Sequence, residues 1–240
     1  MKYLSILILI IFFGCNTQTK EKLNISINNW KKENYIDSTQ ILLTNEYNVR
    51  DSYSFGASSF LIKAKNETLL CTAKHLLGDA MGIIPEVKTD SFNELLKYWK
   101  AYPRNNTICS DTILGKSIVN KDINSIDVIL QKCTIKPNSK IEVLYPRFSK
   151  IIKGENLEII GCEYSDTECH QKKFKAIMDS YENGKIWIKS HSIFDASGFS
   201  GAPVIDNKGY VIGVISAGGE FNNELYLIIE PISKLKQYLN

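Results

Sequence analysis

Ser200 lies in the run Gly198-Phe199-Ser200-Gly201-Ala202-Pro203, which leads into the apolar pair Val204-Ile205. A serine hydroxyl is a weak nucleophile. It needs a base to take its proton and N–H donors for the oxyanion that forms on attack. Glycines on both sides let the backbone turn sharply, so that the serine's own N–H and a neighbouring N–H can converge. A base is offered by Leu69-Leu70-Cys71-Thr72-Ala73-Lys74-His75, an apolar strand that ends in a histidine. An orienting carboxylate is offered by Asn124-Ser125-Ile126-Asp127-Val128-Ile129-Leu130, where one aspartate leads an apolar strand. A carboxylate in such a place is seldom buried without a partner. Asp122 is a nearby rival for that role.

These residues must be positioned by short elements. From about residue 46 onward, short apolar stretches alternate with polar turns. Ser58 to Ala64 and Thr68 to Ala73, separated by Lys65-Asn66-Glu67, read as a hairpin. Further stretches are Ile141–Leu144, Leu157–Ile160, Lys185–Lys189, Pro203–Ile205, Tyr210–Ile215 and Glu224–Ile229. Asn and Gly at 182–184 and 207–209 tolerate the positive φ of tight turns. Many short strands at close spacing give an all-β barrel or sandwich. Two segments break the pattern. Phe92, Leu95, Leu96 and Trp99 have helical spacing, which predicts a helix over 91–102. Ile232, Leu235 and Leu239 predict a closing helix over 231–239.

The three stretches together resemble the trypsin/chymotrypsin-like serine peptidases, in particular the bacterial branch of glutamyl endopeptidases and HtrA-type enzymes. The resemblance rests on Thr72-Ala73-Lys74-His75, Asp127-Val128-Ile129-Leu130 and Gly198-Phe199-Ser200-Gly201-Ala202-Pro203, in that order. Ile212-Gly213-Val214-Ile215-Ser216-Ala217-Gly218 is similar to the strand that pairs with substrate in that family. It implies two six-stranded antiparallel β-barrels (chymotrypsin-like) with a short C-terminal helix, the first over about 46–140 and the second over about 141–240. It implies a triad of His75, Asp127 and Ser200, and an oxyanion hole from the N–H groups of Gly198 and Ser200. Ser216, Ala217 and Gly218 would bind substrate, with Asp195 near the specificity pocket. Phe194 stands where trypsin has its pocket aspartate, and Ile215 where glutamyl endopeptidases have a histidine. No strong charge requirement at P1 is therefore expected. Phe199 stands where zymogens place the aspartate that pairs with a newly cut N-terminus, so that switch is expected to be missing. His191 reads as structural or pocket-lining. The chemistry needs no cofactor and no metal. The alternative within the same fold is a catalytically silent domain that binds peptides as a lipoprotein.

The N-terminus adds a location. Lys2 precedes an apolar run over 3–13, too short to span a bilayer, and Gly14-Cys15 follows. This resembles a bacterial lipobox. It implies a lipoprotein signal over 1–15, lipid on Cys15, a polar tether over 16–45 and an extracytoplasmic, membrane-anchored domain over 46–240. Of the five other cysteines, Cys162 and Cys169 are the best disulfide pair, while Cys71 sits in an apolar strand. A zinc site from Cys162, Cys169 and His170 lacks a fourth ligand. With 29 basic and 26 acidic residues the net charge is only +3, so nucleic acid is not an expected partner. Protein or peptide substrate and the membrane are.

Overall fold

The computed structural model describes residues 28–32, 38–121 and 125–240. The signal segment with Cys15, much of the expected tether, and Asp122 lie outside the described residues.

The described residues form two closed six-stranded antiparallel barrels and a short C-terminal helix. The first barrel holds β1 (Leu43–Val49), β2 (Ser52–Lys63), β3 (Thr68–Thr72), β4 (Leu96–Tyr102), β5 (Ile113–Ile118) and β6 (Ile129–Thr134). Their order is β1-β4-β5-β6-β3-β2, closed by β1 against β2. A short β7 (Val143–Leu144) lies parallel to β2 on the way to the second barrel. That barrel holds β8 (Asn156–Gly161), β9 (Lys172–Glu182), β10 (Lys185–Ser190), β11 (Pro203–Asp206), β12 (Val211–Phe221) and β13 (Glu224–Pro231), closed in the order β10-β13-β12-β11-β8-β9.

Burial follows the period of two. In β10, Ile186 and Ile188 point inward while Lys185, Trp187 and Lys189 stay half-exposed. β2 and β3 instead carry runs of consecutive buried residues, because both of their faces are covered. Leu61 and Leu70 fill the first barrel. Phe60, Ile62 and Cys71 meet Ile160, Ile205 and Val214 of the second. Each fully buried aliphatic side chain contributes about 1.5–3 kcal/mol relative to exposure. This shared cluster therefore fixes the orientation of one barrel on the other, and with it the edges that face the cleft. The 3₁₀ turn Ile232–Leu235 and the helical turn Lys236–Leu239 add Ile232, Leu235 and Leu239 to the same cluster.

Two expectations meet a different structure. The helix expected over 91–102 is a single turn, Phe92–Leu95, and the rest is strand β4. Trp99 and Ala101 also fit an alternating pattern. Pairing with β1 and β5 decides the matter, because it buries Trp99 flat against Tyr47, with ring centroids 4.0 Å apart. The Trp99 indole N–H also reaches Asn45 Oδ1 at 3.0 Å. Upstream of residue 46, Ile41, Leu42 and Leu43 are buried and β1 has already begun. Trp30 packs into the inter-barrel cluster, and the Asn28 side chain donates to the Gly209 carbonyl at 3.0 Å. The folded body thus takes in residues that the sequence pattern assigns to a tether.

Candidate active site

β3 ends at Thr72, and the 3₁₀ turn Lys74–Leu77 swings His75 over the cleft. Leu76 and Leu77 are buried and anchor this turn. Asp127 precedes β6, whose approach is held by buried Ile126 and Val128. Its Oδ1 accepts the His75 backbone N–H at 2.8 Å, and its Oδ2 lies 2.7 Å from His75 Nδ1. The Ser216 hydroxyl also donates to Oδ2. On the other side of the ring, His75 Nε2 lies 2.8 Å from Ser200 Oγ. An ionised carboxylate only accepts, so Nδ1 carries the proton and Nε2 is left free to accept from Ser200. Burial pushes the Asp127 carboxyl up, but hydrogen bonds and charge from His75, with the Ser216 hydroxyl, outweigh it. The net result lies below the usual carboxylate range.

The loop carrying Ser200 is pinned at several points. Phe199 N–H donates to Ala196 O at 3.1 Å, and Gly201 N–H to Ile215 O at 2.9 Å. The Ser200 carbonyl accepts Ser58 N–H at 2.8 Å. Gly198 has φ +84°, and among the described residues no acceptor engages the N–H of Gly198 or of Ser200. Phe199 is fully buried, with ring centroids 5.3 Å from Phe174 and 5.0 Å from Phe194. It lies over Gly161, where a Cβ would overlap the ring. An aromatic plug, and not an ion pair, therefore seats the loop at the position where zymogens carry an aspartate.

The profile of the trypsin-like peptidase domain matches residues 57–214, well over half of the chain. The chain belongs to the trypsin-like peptidase family. No curated protein matches the sequence. Among solved structures it resembles a serine endoprotease from Yersinia pestis, with TM-score 0.56 and 14% identity over 85% of this chain and 64% of that one. It also resembles the active form of a protease from M. tuberculosis, with TM-score 0.54 and 12% identity over 90% and 88% of the two chains. An HtrA-type protease with a tripeptide gives TM-score 0.56 and 17% identity over 85% of this chain and 60% of that one. The chain thus spans less than two thirds of the Yersinia and HtrA-type proteins. At these identities the likeness is one of fold.

Two clefts of this trypsin-like domain meet at Ser200. One, of about 510 Å³, runs between Phe55, Ala57, His75 and Met81 of the first barrel and the Cys162–Tyr164 segment of the second. The other, of about 460 Å³, is lined by Phe194, Asp195, Ile215, Glu220, Leu225 and Leu227, and the surface it exposes is mostly polar because the aliphatic side chains are buried behind it. Ala217 and Gly218 line this second cleft. Asp195 is exposed and turned onto its own loop, accepting Ser197 N–H at 2.9 Å. Hydrogen bonds from Ser197 hold its carboxyl below the usual range. Ser216 stands apart from its two neighbours, because its side chain faces Asp127 and not the cleft. β12 has a bulge at this residue: Ile215 pairs with Ile229, but Ala217 already pairs with Ile228. Such an extra residue re-aims a side chain. Sequence spacing cannot reveal a bulge, so it carries no signal for the role of Ser216 toward Asp127. His191 is exposed and lines neither cleft. Cys162 and Cys169 form a disulfide, which leaves His170 without thiolate partners for a zinc ion. It pairs with Asp166 and Glu168 instead.

Proposed function

We propose that this protein is an exported serine endopeptidase that cleaves peptide bonds through His75, Asp127 and Ser200. The observation that carries the reading is the unbroken line of contacts from Asp127 through His75 to Ser200. Ser200 Oγ attacks the scissile carbonyl while its proton passes to His75 Nε2. The oxyanion is met by the N–H groups of Gly198 and Ser200. Asp127 steadies the imidazolium, which then protonates the leaving amine, and an acyl-enzyme on Ser200 remains. Water attacks this ester with His75 again as base, releasing the acid. The peptide runs through both clefts, pairing by strand addition along Ala217 and Gly218.

Export is supported by the signal-like N-terminus and by the Cys162–Cys169 disulfide, which suits an oxidising compartment. Lipid on Cys15 would then tie the domain to the membrane from outside the cytoplasm.

The test is labelling of the full chain with a fluorophosphonate, which reports an activated serine. The wild-type chain is expected to label, and Ser200→Ala and His75→Ala are not. A folded wild-type chain that stays unlabelled sinks the peptidase reading and favours a peptide-binding lipoprotein. Where the enzyme labels, a peptide library reads the pocket. With Phe194 in the lining and Asp195 turned onto its own loop, kcat/KM for Glu or Lys at P1 is expected to stay within about 10-fold of that for aliphatic residues. A larger preference for either charge would overturn this reading of the pocket.

A further inference from the structure

Ser58 belongs to the first barrel, yet it holds the Ser200 loop of the second from two sides. Its N–H donates to the Ser200 carbonyl at 2.8 Å, and its hydroxyl donates to the Gly198 carbonyl at 2.9 Å. Its own carbonyl accepts the Thr72 hydroxyl at 2.6 Å, so all three of its polar groups are engaged.

The placement of these bonds matters more than their number. The N–H of Ser200 belongs to the peptide between Phe199 and Ser200. The peptide before it is fixed at both ends, by the Ser58 hydroxyl on the Gly198 carbonyl and by Ala196 O on the Phe199 N–H. The peptide after it is fixed by Ser58 N–H on the Ser200 carbonyl and by Ile215 O on the Gly201 N–H. A peptide plane between two fixed planes has little freedom to rotate. The N–H of Gly198 lies on the neighbouring peptide, joined to the same anchored plane through the φ and ψ of Gly198, with φ +84°.

β2 reaches this position by a bulge. Thr44 pairs with Ser58, but Asn45 pairs with Gly56, so Ala57 is the extra residue. Ala57 has φ +55°, a left-handed backbone that a residue with a Cβ adopts only when its surroundings impose it. A regular strand would turn Ser58 out of line with the loop. The bulge aims it across the barrel interface.

We propose that Ser58 is a positioning residue for the oxyanion hole, presented by the strained bulge at Ala57, so that the first barrel sets the geometry of donors carried by the second. The inference rests on the peptidase reading above. Ser58 stands at the wall of the first cleft, but its N–H and hydroxyl are turned to the loop behind the donors and its carbonyl to Thr72.

The test uses the full chain, its Ser58→Ala and Ser58→Thr variants, and an alkyl fluorophosphonate. In that reaction a bond forms between Ser200 Oγ and phosphorus, fluoride leaves, and His75 takes the serine proton. The phosphonyl oxygen needs the hole, whereas reversible binding of the alkyl chain does not. Loss of a hole donor outright costs roughly 10²–10³-fold, so loosening both without removing either is expected to lower kinact about 10-fold in Ser58→Ala. KI and the thermal midpoint should stay near wild type, and Ser58→Thr, which keeps the hydroxyl, should recover most of the rate. A kinact in Ser58→Ala equal to wild type overturns the proposal. So does a loss that appears in KI, or one that Thr fails to repair and that follows the thermal midpoint. Absence of labelling in the wild-type chain overturns the peptidase reading itself and takes this inference with it.

Discussion

Asp127→Asn should lower kcat by about 10⁴-fold while the fold survives, the loss seen for the same exchange in the serine-protease template. The reason lies in how the two carboxylate oxygens are used. Oδ1 accepts the His75 backbone N–H, and Oδ2 faces His75 Nδ1. In an asparagine the carbonyl must keep the backbone N–H, since an amide nitrogen there would set donor against donor. The amide NH₂ is then turned toward Nδ1 and Ser216. Nδ1 becomes an acceptor, the proton moves to Nε2, and Nε2 can no longer accept from Ser200. The base is lost through its tautomer while the ring stays in place. The same site has a stability consequence. The Asp127 carboxyl lies below its ordinary range in the fold. Its contribution is therefore present above the unfolded carboxylate pKa and is lost as pH falls through the lower folded value. The Asn variant lacks this acid limb, so its thermal midpoint should fall less than that of wild type on going from neutral to acid pH. Steady-state kinetics on one peptide, with melts at both pH values, check the two halves. A rate loss under about 10-fold would remove Asp127 from the orienting role.

The legible part of this molecule is the part written locally. Ser200 between glycines, His75 at a strand end and Asp127 at a strand start are each visible in a few residues, and the structure brings the three side chains into contact. The Asn-Gly turn of the β9–β10 hairpin is legible for the same reason, since Asn183 and Gly184 both have positive φ. So is the disulfide across a seven-residue spacing. Features decided between distant segments are not. Trp99 supports a helical and an alternating reading equally, and only its stacking on Tyr47 selects the strand. The side chains of Ser58 and Ser216 are aimed by bulges, and a bulge is a mismatch between two strands that neither strand shows alone. The lining of the second cleft joins Phe194 to Leu225 and Leu227, which meet only when the barrel closes.

Gly201→Ala should damage both stability and chemistry, and a second glycine separates the causes. Gly201 has φ +88°, where an L-residue with a Cβ is strained by about 1–2 kcal/mol. A methyl group there would also overlap the Ser58 carbonyl oxygen and the Thr72 hydroxyl, and would lie 3.1 Å from Ala73 N. The Ser58 carbonyl cannot retreat freely, because it accepts from Thr72 while the Ser58 N–H holds Ser200. Overpacking of this kind adds about 1–3 kcal/mol, giving a total of about 2–5 kcal/mol. For a domain of this size that lowers the thermal midpoint by about 4–20 °C. Gly154 has nearly the same backbone, φ +87°, and a methyl group added there would meet nothing within 4 Å. Gly154→Ala should therefore carry the backbone strain alone and leave the fluorophosphonate labelling rate intact. Equal losses in the two variants would mean that the contact between the barrels at Ser58 is slack. A larger loss at 201, together with slower labelling, would show that the glycine after Ser200 is required by the first barrel. The close approach that excludes a Cβ at Gly201 is the same one that lets Ser58 reach the loop, so the residue after the nucleophile and the residue that steadies its donors would be two sides of one contact.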